Sequence, residues 1–323
     1  MNALELNDVN VYYKTPLGKV HILHSINVNF EKGHSIGIVG ESGSGKSTLG
    51  HAIVNLLPPN GILNGQILFN GNNLVSLRRS QMTKVRGTGI FMIMQDPFSS
   101  LDPVKKVGRQ LIEALKVKYE RLNESLDEQK AYLEINKRLR DVKFPDPENV
   151  IERYPYQLSG GQIQRIVIAM GLLLEPTVLI ADEPTSALDV SIQAQIMTLL
   201  AELQRSYNMT LLFITHDLSV AYTVSDMITI LYAGRIMEYG ATDDVILNPM
   251  HPYTEGLLKS FPKGRYVDGP LYTLKGAPPT FFDLPSGCKF NPRCPYVFSR
   301  CYEEEPQLYL QKDGRKVRCF LHE

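Results

Sequence analysis

The segment GESGSGKST, from Gly40 to Thr48, constrains the fold of this chain more than any other feature. It follows directly on Ser35 to Val39, a short apolar run that is typical of a buried strand. Glycines at three of its positions let the backbone turn its amide hydrogens inward, at the start of a helix whose dipole favours negative charge. The segment therefore predicts a strand, a phosphate-binding loop and a helix, in that order.

Two side chains at the end of this loop carry the predicted chemistry. The Lys46 ammonium would reach the β- and γ-phosphates of a nucleotide, and the Ser47 hydroxyl would bind Mg²⁺. A Gly-Ser turn without a ligand is the simpler alternative, but the preceding strand favours the phosphate site. The predicted nucleotide-binding residues of the loop are Gly40, Ser42, Gly43, Ser44, Gly45, Lys46, Ser47 and Thr48.

Short, continuous apolar runs recur along the chain and predict strands buried on both faces, hence a mostly parallel sheet covered by helices. An apolar face at helical spacing, from Ile192 to Leu203, supports this α/β architecture. The predicted strands are Ser35 to Val39, Ile90 to Met94, Val178 to Ala181, Leu211 to Ile214 and Met227 to Tyr232.

Two stretches differ in character from this core. Residues from about Pro97 to Pro155 carry two amphipathic patterns with dense charge on the opposite faces, which predicts a helical insertion. Beyond Asn248 the chain is rich in Pro, Gly and aromatic residues and poor in helical periodicity, which predicts a loop-rich extension. The apolar positions of the insertion are Leu111, Leu115, Tyr119 and Leu122, then Tyr132, Ile135, Leu139 and Val142.

The charge balance gives no sign of a nucleic-acid partner. Lys plus Arg equals Asp plus Glu, at 34 each, so no net field attracts a polyanion or an anionic membrane. The N-terminal stretch lacks the basic start and apolar core of a secretory signal, and the longest apolar run, Ile166 to Leu174, is too short to cross a bilayer. These features predict a cytosolic protein.

A second motif, TVLIADEP, places Asp182 and Glu183 at the carboxyl end of a predicted strand, where open α/β sheets bind their ligands. Asp182 is placed to hold Mg²⁺ and Glu183 to polarise an attacking water. Alone, the pair would be a solvated acidic turn; a phosphate loop in the same chain favours magnesium chemistry.

A third motif, LSGGQ, opens the apolar run from Ile163 to Leu174. Ser159 is a good N-cap, and Gly160 and Gly161 leave backbone amides exposed, so a second anion site is predicted at a helix start. With this motif the sequence resembles the nucleotide-binding subunit of ATP-binding cassette transporters, from about Leu4 to Leu247.

The resemblance implies a role for each matching residue. Gly40 to Thr48 looks like the Walker A loop, Leu158 to Gln162 like the cassette signature, and Val178 to Glu183 like Walker B with its catalytic glutamate. In this family the signature of one subunit closes over the nucleotide of another. The further residues so implied are Gln95 (catalysis and Mg²⁺), His216 (catalysis), Tyr13 (adenine), Ser186 to Asp189 (D-loop, with Asp189 acting in trans) and Gly160, Gly161 and Gln162 (signature).

The same resemblance implies an ABC-type P-loop NTPase core of α/β class, with a parallel-rich sheet, a helical subdomain insertion and a small cysteine-containing extension. The nucleotide-binding domain would span residues 1–250, with 97–155 and the signature helix forming the helical subdomain. Residues 251–323 would form the extension. HPYTEGLLKSFP from His251 and GAPP from Gly276 are similar to segments of dipeptide, oligopeptide and nickel importer ATPases.

All four cysteines lie in the last 36 residues of the chain, at Cys288, Cys294, Cys301 and Cys319. Disulfides are disfavoured in a cytosolic chain. Four buried or idle thiols are possible, but random placement would rarely gather all four at one end of the chain. The gaps between the cysteines match neither the usual zinc pairs nor a ferredoxin run, so spacing leaves zinc and iron-sulfur open. The tail resembles that of peptide-importer ATPases, some of which hold a [4Fe-4S] cluster. The resemblance therefore implies an iron-sulfur cluster, with Zn²⁺ as the alternative.

The resemblance as a whole implies an ATPase that uses Mg-ATP to drive import of dipeptides or oligopeptides. It would pair with a sister ATPase at the cytoplasmic face of the membrane, beneath two permease subunits that receive solute from an extracytoplasmic binding protein. Import of nickel or a metal chelate is one alternative. A soluble cassette ATPase of translation or DNA repair, or a redox protein gated by ATP, are others; one signature and no sustained heptads argue against the soluble class.

Overall fold

The computed structural model describes residues 1–186, 188–260 and 273–323. Ala187 of the predicted D-loop, and Phe261 and Pro262 at the end of the HPYT segment, lie outside the described residues. Within these ranges, no helix combines the length and apolar character needed to cross a membrane.

The elements follow the chain with strands and helices interleaved. The strands are β1 (Asn2–Thr15), β2 (Gly18–Glu31), β3 (Ser35–Val39), β4 (Gly61–Phe69), β5 (Asn72–Asn73), β6 (Ile90–Ile93), β7 (Val178–Asp182), β8 (Thr210–Thr215), β9 (Met227–Tyr232), β10 (Arg235–Ala241), β11 (Tyr309–Leu310) and β12 (Lys316–Val317). The helices are α1 (Lys46–Ile53), α2 (Arg79–Val85), α3 (Val107–Leu122), α4 (Glu128–Asp141), α5 (Pro147–Ile151), α6 (Gly160–Leu173), α7 (Val190–Tyr207), α8 (Leu218–Val224), α9 (Thr242–Leu247), α10 (Pro252–Lys259) and α11 (Ser299–Glu303).

The chain divides into two compact units. The first unit contains Met1–Ser76 and Phe213–Glu323, and the second contains Leu77–Leu212. The predicted helical insertion falls inside the second unit, and the predicted extension, residues 251–323, falls inside the first. The domain bounds proposed from the sequence stay a prediction.

The first unit contains an antiparallel sheet in which β1 lies between β2 and β4, with β5 beside β4. In β1 the buried positions change parity, from Leu4 and Leu6 to Val9 and Val11, because a β-bulge near Asp8 shifts the register. This break hides the period of two that marks a half-buried strand. None of these strands was predicted from the sequence.

The predicted parallel pairing of apolar strands is confirmed in the first unit for β3 and β9. All five residues of β3 are buried, as a strand covered on both faces requires. On the other side of β9, three further strands add in antiparallel fashion, β10, then β12, then β11. These antiparallel additions were not predicted.

In the second unit, β6 and β7 form a parallel pair, and helix α6 packs against β6. Helix α6 lies so close to β6 that a Cβ on Gly171 would come within 2.8 Å of the Phe91 ring. The predicted apolar faces of α3 and α4 are buried through most of their length, including Leu115 and Leu139. Leu122 and Tyr132, at the ends of these two patterns, are exposed instead.

The C-terminal extension is more helical at its start than predicted, since α10 covers Pro252–Lys259. His251 is the N-cap of α10; its Nδ1 accepts a hydrogen bond from the Tyr253 amide at 2.9 Å, and Pro252 occupies the first turn. The HPYT segment is therefore a helix start. Residues 273–323 are loop-rich, as expected, with two short strands and α11.

Candidate active site

The predicted phosphate loop lies in the first unit, between β3 and α1, and α1 begins at Lys46. Gly43 and Gly45 have φ angles of 77° and 104°, in the left-handed region that favours glycine. Gly40 is required for a different reason, because a Cβ there would lie 2.1 Å from the Leu231 carbonyl oxygen. The glycine positions thus follow from the geometry of the loop.

The Lys46 side chain is buried and lies along this loop. Its Nζ donates hydrogen bonds to the carbonyl oxygens of Gly40, at 2.8 Å, and Glu41, at 3.0 Å. The Glu41 carbonyl also accepts a hydrogen bond from the Ser44 amide at 3.1 Å. The position of Glu41 therefore affects both where the Lys46 ammonium lies and how the backbone of the loop is held.

The loop fits the phosphates of a nucleotide. The Ser44 hydroxyl oxygen is buried and has no hydrogen-bond partner among the described residues, which is the arrangement expected where a ligand supplies the partner. Backbone amides at a helix start and the Lys46 ammonium provide the positive field that an anion needs. Ser47, in the first turn of α1, is the residue of this loop that would bind Mg²⁺.

The second unit brings together two of the predicted catalytic residues. Gln95 follows β6 and Glu183 follows β7, and Gln95 Nε2 donates a hydrogen bond to Glu183 Oε2 at 3.1 Å. Glu183 has a φ of 43°, a strained angle for a residue with a side chain. Asp182, the last residue of β7, is 2% exposed. The predicted carboxylates thus lie at the carboxyl end of a buried strand.

The signature segment begins α6 with a capping box, also in the second unit. The Ser159 hydroxyl accepts a hydrogen bond from the Gln162 amide at 3.4 Å, and the Gln162 side chain accepts one from the Ser159 amide at 3.0 Å. A Cβ on Gly161 would lie 2.7 Å from Ile192, so α6 and α7 approach closely here. Ser159 is therefore confirmed as an N-cap, while its predicted action on a nucleotide stays a prediction.

The remaining predicted residues lie at the ends of other elements. In the second unit Asp189 is the N-cap of α7, and its carbonyl accepts hydrogen bonds from Ile192 and Gln193. In the first unit His216 follows β8, and Tyr13 is half-buried in β1, near Gly61 of β4. The roles of these residues stay predictions.

The four cysteines, all in the first unit, line one small cavity together with aromatic residues that include Phe290, Phe298 and Phe320. All four thiols are free. Burial raises the pKa of Cys288 to about 12 and that of Cys294 to about 11, and it also raises the pKa of Cys319. In the described part of the chain, no three or more His, Cys, Asp or Glu side chains are arranged to hold a metal ion. The predicted cluster is therefore not confirmed.

Three residues that were not predicted from the sequence as site residues meet at the phosphate loop of the first unit. The Arg293 guanidinium forms two hydrogen bonds with the Glu41 carboxylate, and the Tyr253 hydroxyl accepts one from the Glu41 amide. Burial by itself would lower the pKa of Arg293, but its hydrogen bonds to Glu41 and Tyr232 raise it above the usual value. The sequence carries no local signal for a pair separated by 252 positions.

Comparison with known proteins places this geometry in a family. Residues 23–186 match the family model described as ABC transporter. The chain belongs to the ABC transporter family. Residues 237–301 match a second model, described as the oligopeptide/dipeptide transporter C-terminal region. The membership predicted from the Walker A, signature and Walker B motifs is confirmed.

Relatives within the ABC transporter family are similar over nearly the whole chain. The oligopeptide transport ATP-binding protein OppD of Haemophilus influenzae is 42% identical over 318 residues, which cover 98% of this chain and 97% of that protein. The dipeptide transport ATP-binding protein DppD of Escherichia coli is 40% identical over 320 residues, covering 99% and 96% respectively.

A solved structure supports the same assignment. It is a dimeric ATP-binding cassette in a post-hydrolysis state bound to ADP and Pi, which aligns with a TM-score of 0.65 and 28% identity over 74% of this chain and 98% of that chain. The predicted P-loop NTPase fold of the ABC family is confirmed, and so is the prediction that the chain is an ATPase.

Proposed function

We propose that this chain is the ATP-hydrolysing, energy-coupling subunit of a membrane importer of dipeptides or oligopeptides. The observation that carries the proposal is the similarity of the whole chain, extension included, to ATP-binding proteins of oligopeptide and dipeptide transport. The extension distinguishes this assignment from a soluble ABC ATPase, since it matches a region described for peptide transporters.

We propose the following roles for the residues of the ATP site. The Walker A amides and Lys46 bind the phosphates. Ser47, Gln95 and Asp182 would bind the Mg²⁺ ion, which would neutralise phosphate charge. Glu183 accepts a proton from the attacking water. The hydrogen bond from Gln95 helps to orient the Glu183 carboxylate. His216 assists at the γ-phosphate, and Tyr13 stacks on the adenine.

The resemblance also supplies the proposed assembly. The signature residues Ser159 to Gln162 and the D-loop residue Asp189 would act on nucleotide held by a sister ATPase, so that ATP joins the two subunits and its hydrolysis releases them. The pair would sit at the cytoplasmic face of the membrane, bound to two permease subunits. An extracytoplasmic solute-binding protein would act through those permeases.

Copurification tests the assembly. The tagged chain is recovered from native membranes in mild detergent under anaerobic conditions, and its partners are identified by mass spectrometry, with an unrelated tagged soluble protein as the control. Two hydrophobic permeases and a second ATPase are expected. Recovery from the soluble fraction alone, or with ribosomes or DNA, would contradict the transport role.

Uptake by cells identifies the class of solute. Cells that carry the wild-type chain should accumulate a labelled tripeptide, and cells that carry Glu183→Gln should not. Nickel uptake is measured in the same two strains. A loss of nickel uptake with unchanged peptide uptake would show that the transported solute is nickel or a nickel chelate and not a peptide.

We further propose that the four cysteines bind a [4Fe-4S] cluster, with Zn²⁺ as the alternative. The number and kind of donors fit either metal centre, and the four cysteines line one cavity. Because metal binds thiolates, burial that raises the thiol pKa means that loading would release protons. A bound cluster or zinc ion would cross-link a loop-rich segment that has little core of its own.

Metal analysis separates the two centres. Iron, acid-labile sulfide and zinc are measured on the anaerobically purified chain and on Cys288→Ser and Cys301→Ser variants. About four irons and four sulfides per chain are expected, and fewer in each variant. One zinc without sulfide would favour the alternative, and the absence of all three would refute both.

A further inference from the structure

Arg293 connects the cysteine-bearing extension to the phosphate loop. It directly precedes Cys294, whose thiol lines the four-cysteine cavity, and its own side chain is 4% exposed. Its two terminal nitrogens lie 2.6 and 2.9 Å from the two carboxylate oxygens of Glu41. A bidentate pair of this kind fixes orientation as well as distance.

The guanidinium is itself held in place by two further contacts. Arg293 Nε donates a hydrogen bond to the Lys275 carbonyl oxygen at 3.0 Å, and Nη1 donates one to the Tyr232 hydroxyl at 3.3 Å. Because its partners lie in the extension, in β9 and in the phosphate loop, Arg293 cannot shift without disturbing all three. Arg293 is thus a fixed contact between these segments.

A second contact from the extension reaches the same loop residue. The Tyr253 hydroxyl, on α10, accepts a hydrogen bond from the Glu41 amide at 3.0 Å. The Tyr253 ring is fully buried and packs against Tyr232 and Phe290, so the hydroxyl has little freedom to move. Glu41 is therefore held through both its backbone and its side chain by residues outside the loop.

The position of Glu41 matters because its carbonyl oxygen accepts hydrogen bonds from the Lys46 ammonium and the Ser44 amide. A displacement of Glu41 would therefore move the Lys46 ammonium, which we assign to phosphate binding. We propose that Arg293 and Tyr253 are positioning residues of the phosphate loop. Through them, whether the cysteine-bearing extension is closed or locally open sets the affinity of the chain for ATP. The inference rests on the proposed function, in that ATP is the ligand of this loop.

Coupling of this kind is reciprocal. If local opening of the extension changes the affinity for nucleotide by some factor, then bound nucleotide changes the equilibrium constant for that opening by the same factor. Bound nucleotide should therefore reduce local opening of the turn from Cys288 to Cys294, where the amides of Asn291, Arg293 and Cys294 bond to nearby carbonyls.

Nucleotide binding to the full chain tests the first half of the proposal. A fluorescent ATP analogue is titrated with Mg²⁺ into the wild type and into Arg293→Gln and Arg293→Lys. We expect affinity to fall by about 5- to 150-fold in Arg293→Gln. The loss should be smaller in Arg293→Lys, whose ammonium keeps the charge but not the bidentate geometry.

The matched control is Arg300→Gln. Arg300 lies in the same extension, directly before Cys301, but it is more exposed and pairs with Glu304 and Glu323. Its removal should leave ATP affinity unchanged. Loss of affinity in this control equal to that in Arg293→Gln would show a general effect of unfolding the extension and would overturn the proposal.

Hydrogen exchange tests the reciprocal half and works in the unaltered chain. The exchange of the peptide from Cys288 to Cys294 is measured by mass spectrometry with and without Mg-ATP, with helix α4, which lies outside the extension, as reference. Exchange should slow in the wild type, and ATP should have no such effect in Arg293→Gln. Wild-type affinity in folded Arg293→Gln, or exchange that ATP leaves unchanged, would overturn the proposal, whereas a wild type that binds no ATP would refute the proposed function itself.

Discussion

The side-chain amide of Gln95 donates a hydrogen bond to the carboxylate of Glu183, with 3.1 Å between Nε2 and Oε2. The two residues are 88 positions apart and follow neighbouring parallel strands, β6 and β7. Parallel strands place their carboxyl ends at the same edge of a sheet, which is where α/β proteins bind ligands. The contact orients the carboxylate that we assign as the acceptor of a proton from water.

Glu183→Gln should slow ATP hydrolysis by about 100- to 10,000-fold, because the amide cannot accept a proton in the transition state. ATP affinity should change little, since the substitution preserves shape. Phosphate release and nucleotide binding are both measured on the complex purified from membranes. Glu202→Gln, an exposed change in the same unit, is the control. Unchanged turnover in Glu183→Gln would remove Glu183 from the mechanism.

Two substitutions at Ser159 separate helix capping from phosphate recognition. Ser159→Ala removes the capping box and should cost about 1 kcal/mol of stability. Ser159→Asp restores a good N-cap but places a carboxylate where we assign an anion site. Thermal unfolding should therefore recover in the aspartate variant while ATP hydrolysis by the complex stays low. Full hydrolysis in Ser159→Asp would show that the serine acts only as a cap.

Leu115→Ala should destabilise the second unit by about 2 to 5 kcal/mol, because Leu115 is completely buried in α3 and its removal leaves a cavity. Leu133→Ala, at a site in α4 that is 63% exposed, is the matched control and should stay within about 0.5 kcal/mol of wild type. Unfolding in urea is followed by circular dichroism, since the chain contains no tryptophan. Equal midpoints for the two variants would contradict the burial of α3.

The phosphate loop could be predicted from the sequence because its function depends on contiguous residues. Glycines, a lysine and a serine at fixed spacing after a buried strand specify the turn, the charge and the helix start together. The same holds for Ser159 and Gln162, whose capping box is a local pattern. Each of these features lies within a few residues along the chain.

The contacts of Glu41 could not be predicted, because they depend on how distant segments pack. Arg293 and Tyr253 lie 252 and 212 positions from Glu41. Tyr253 belongs to the HPYTEGLLKSFP segment, but no local pattern links either residue to Glu41. Strand β1 was missed for a different reason: the bulge near Asp8 interrupts its alternation of buried positions. Tyr132 matches the apolar face of α4 by spacing, but it is 44% exposed although its neighbour Ala131 is buried.

The buried His251 should make the chain less stable as the pH falls. Burial lowers its pKa to about 3, against about 6.5 in the unfolded chain, so below pH 6.5 the unfolded state gains a proton that the folded state does not. This stability is present above pH 6.5 and is lost as the pH falls toward 3, by about 2 kcal/mol between pH 7 and 5. His251→Asn, which can still accept the Tyr253 amide, should show a smaller loss in urea unfolding at the two pH values, whereas His34→Asn on the exposed surface should behave as wild type. An identical loss in wild type and His251→Asn would mean that His251 is protonated in the fold, and its cap to Tyr253 could not then exist as described.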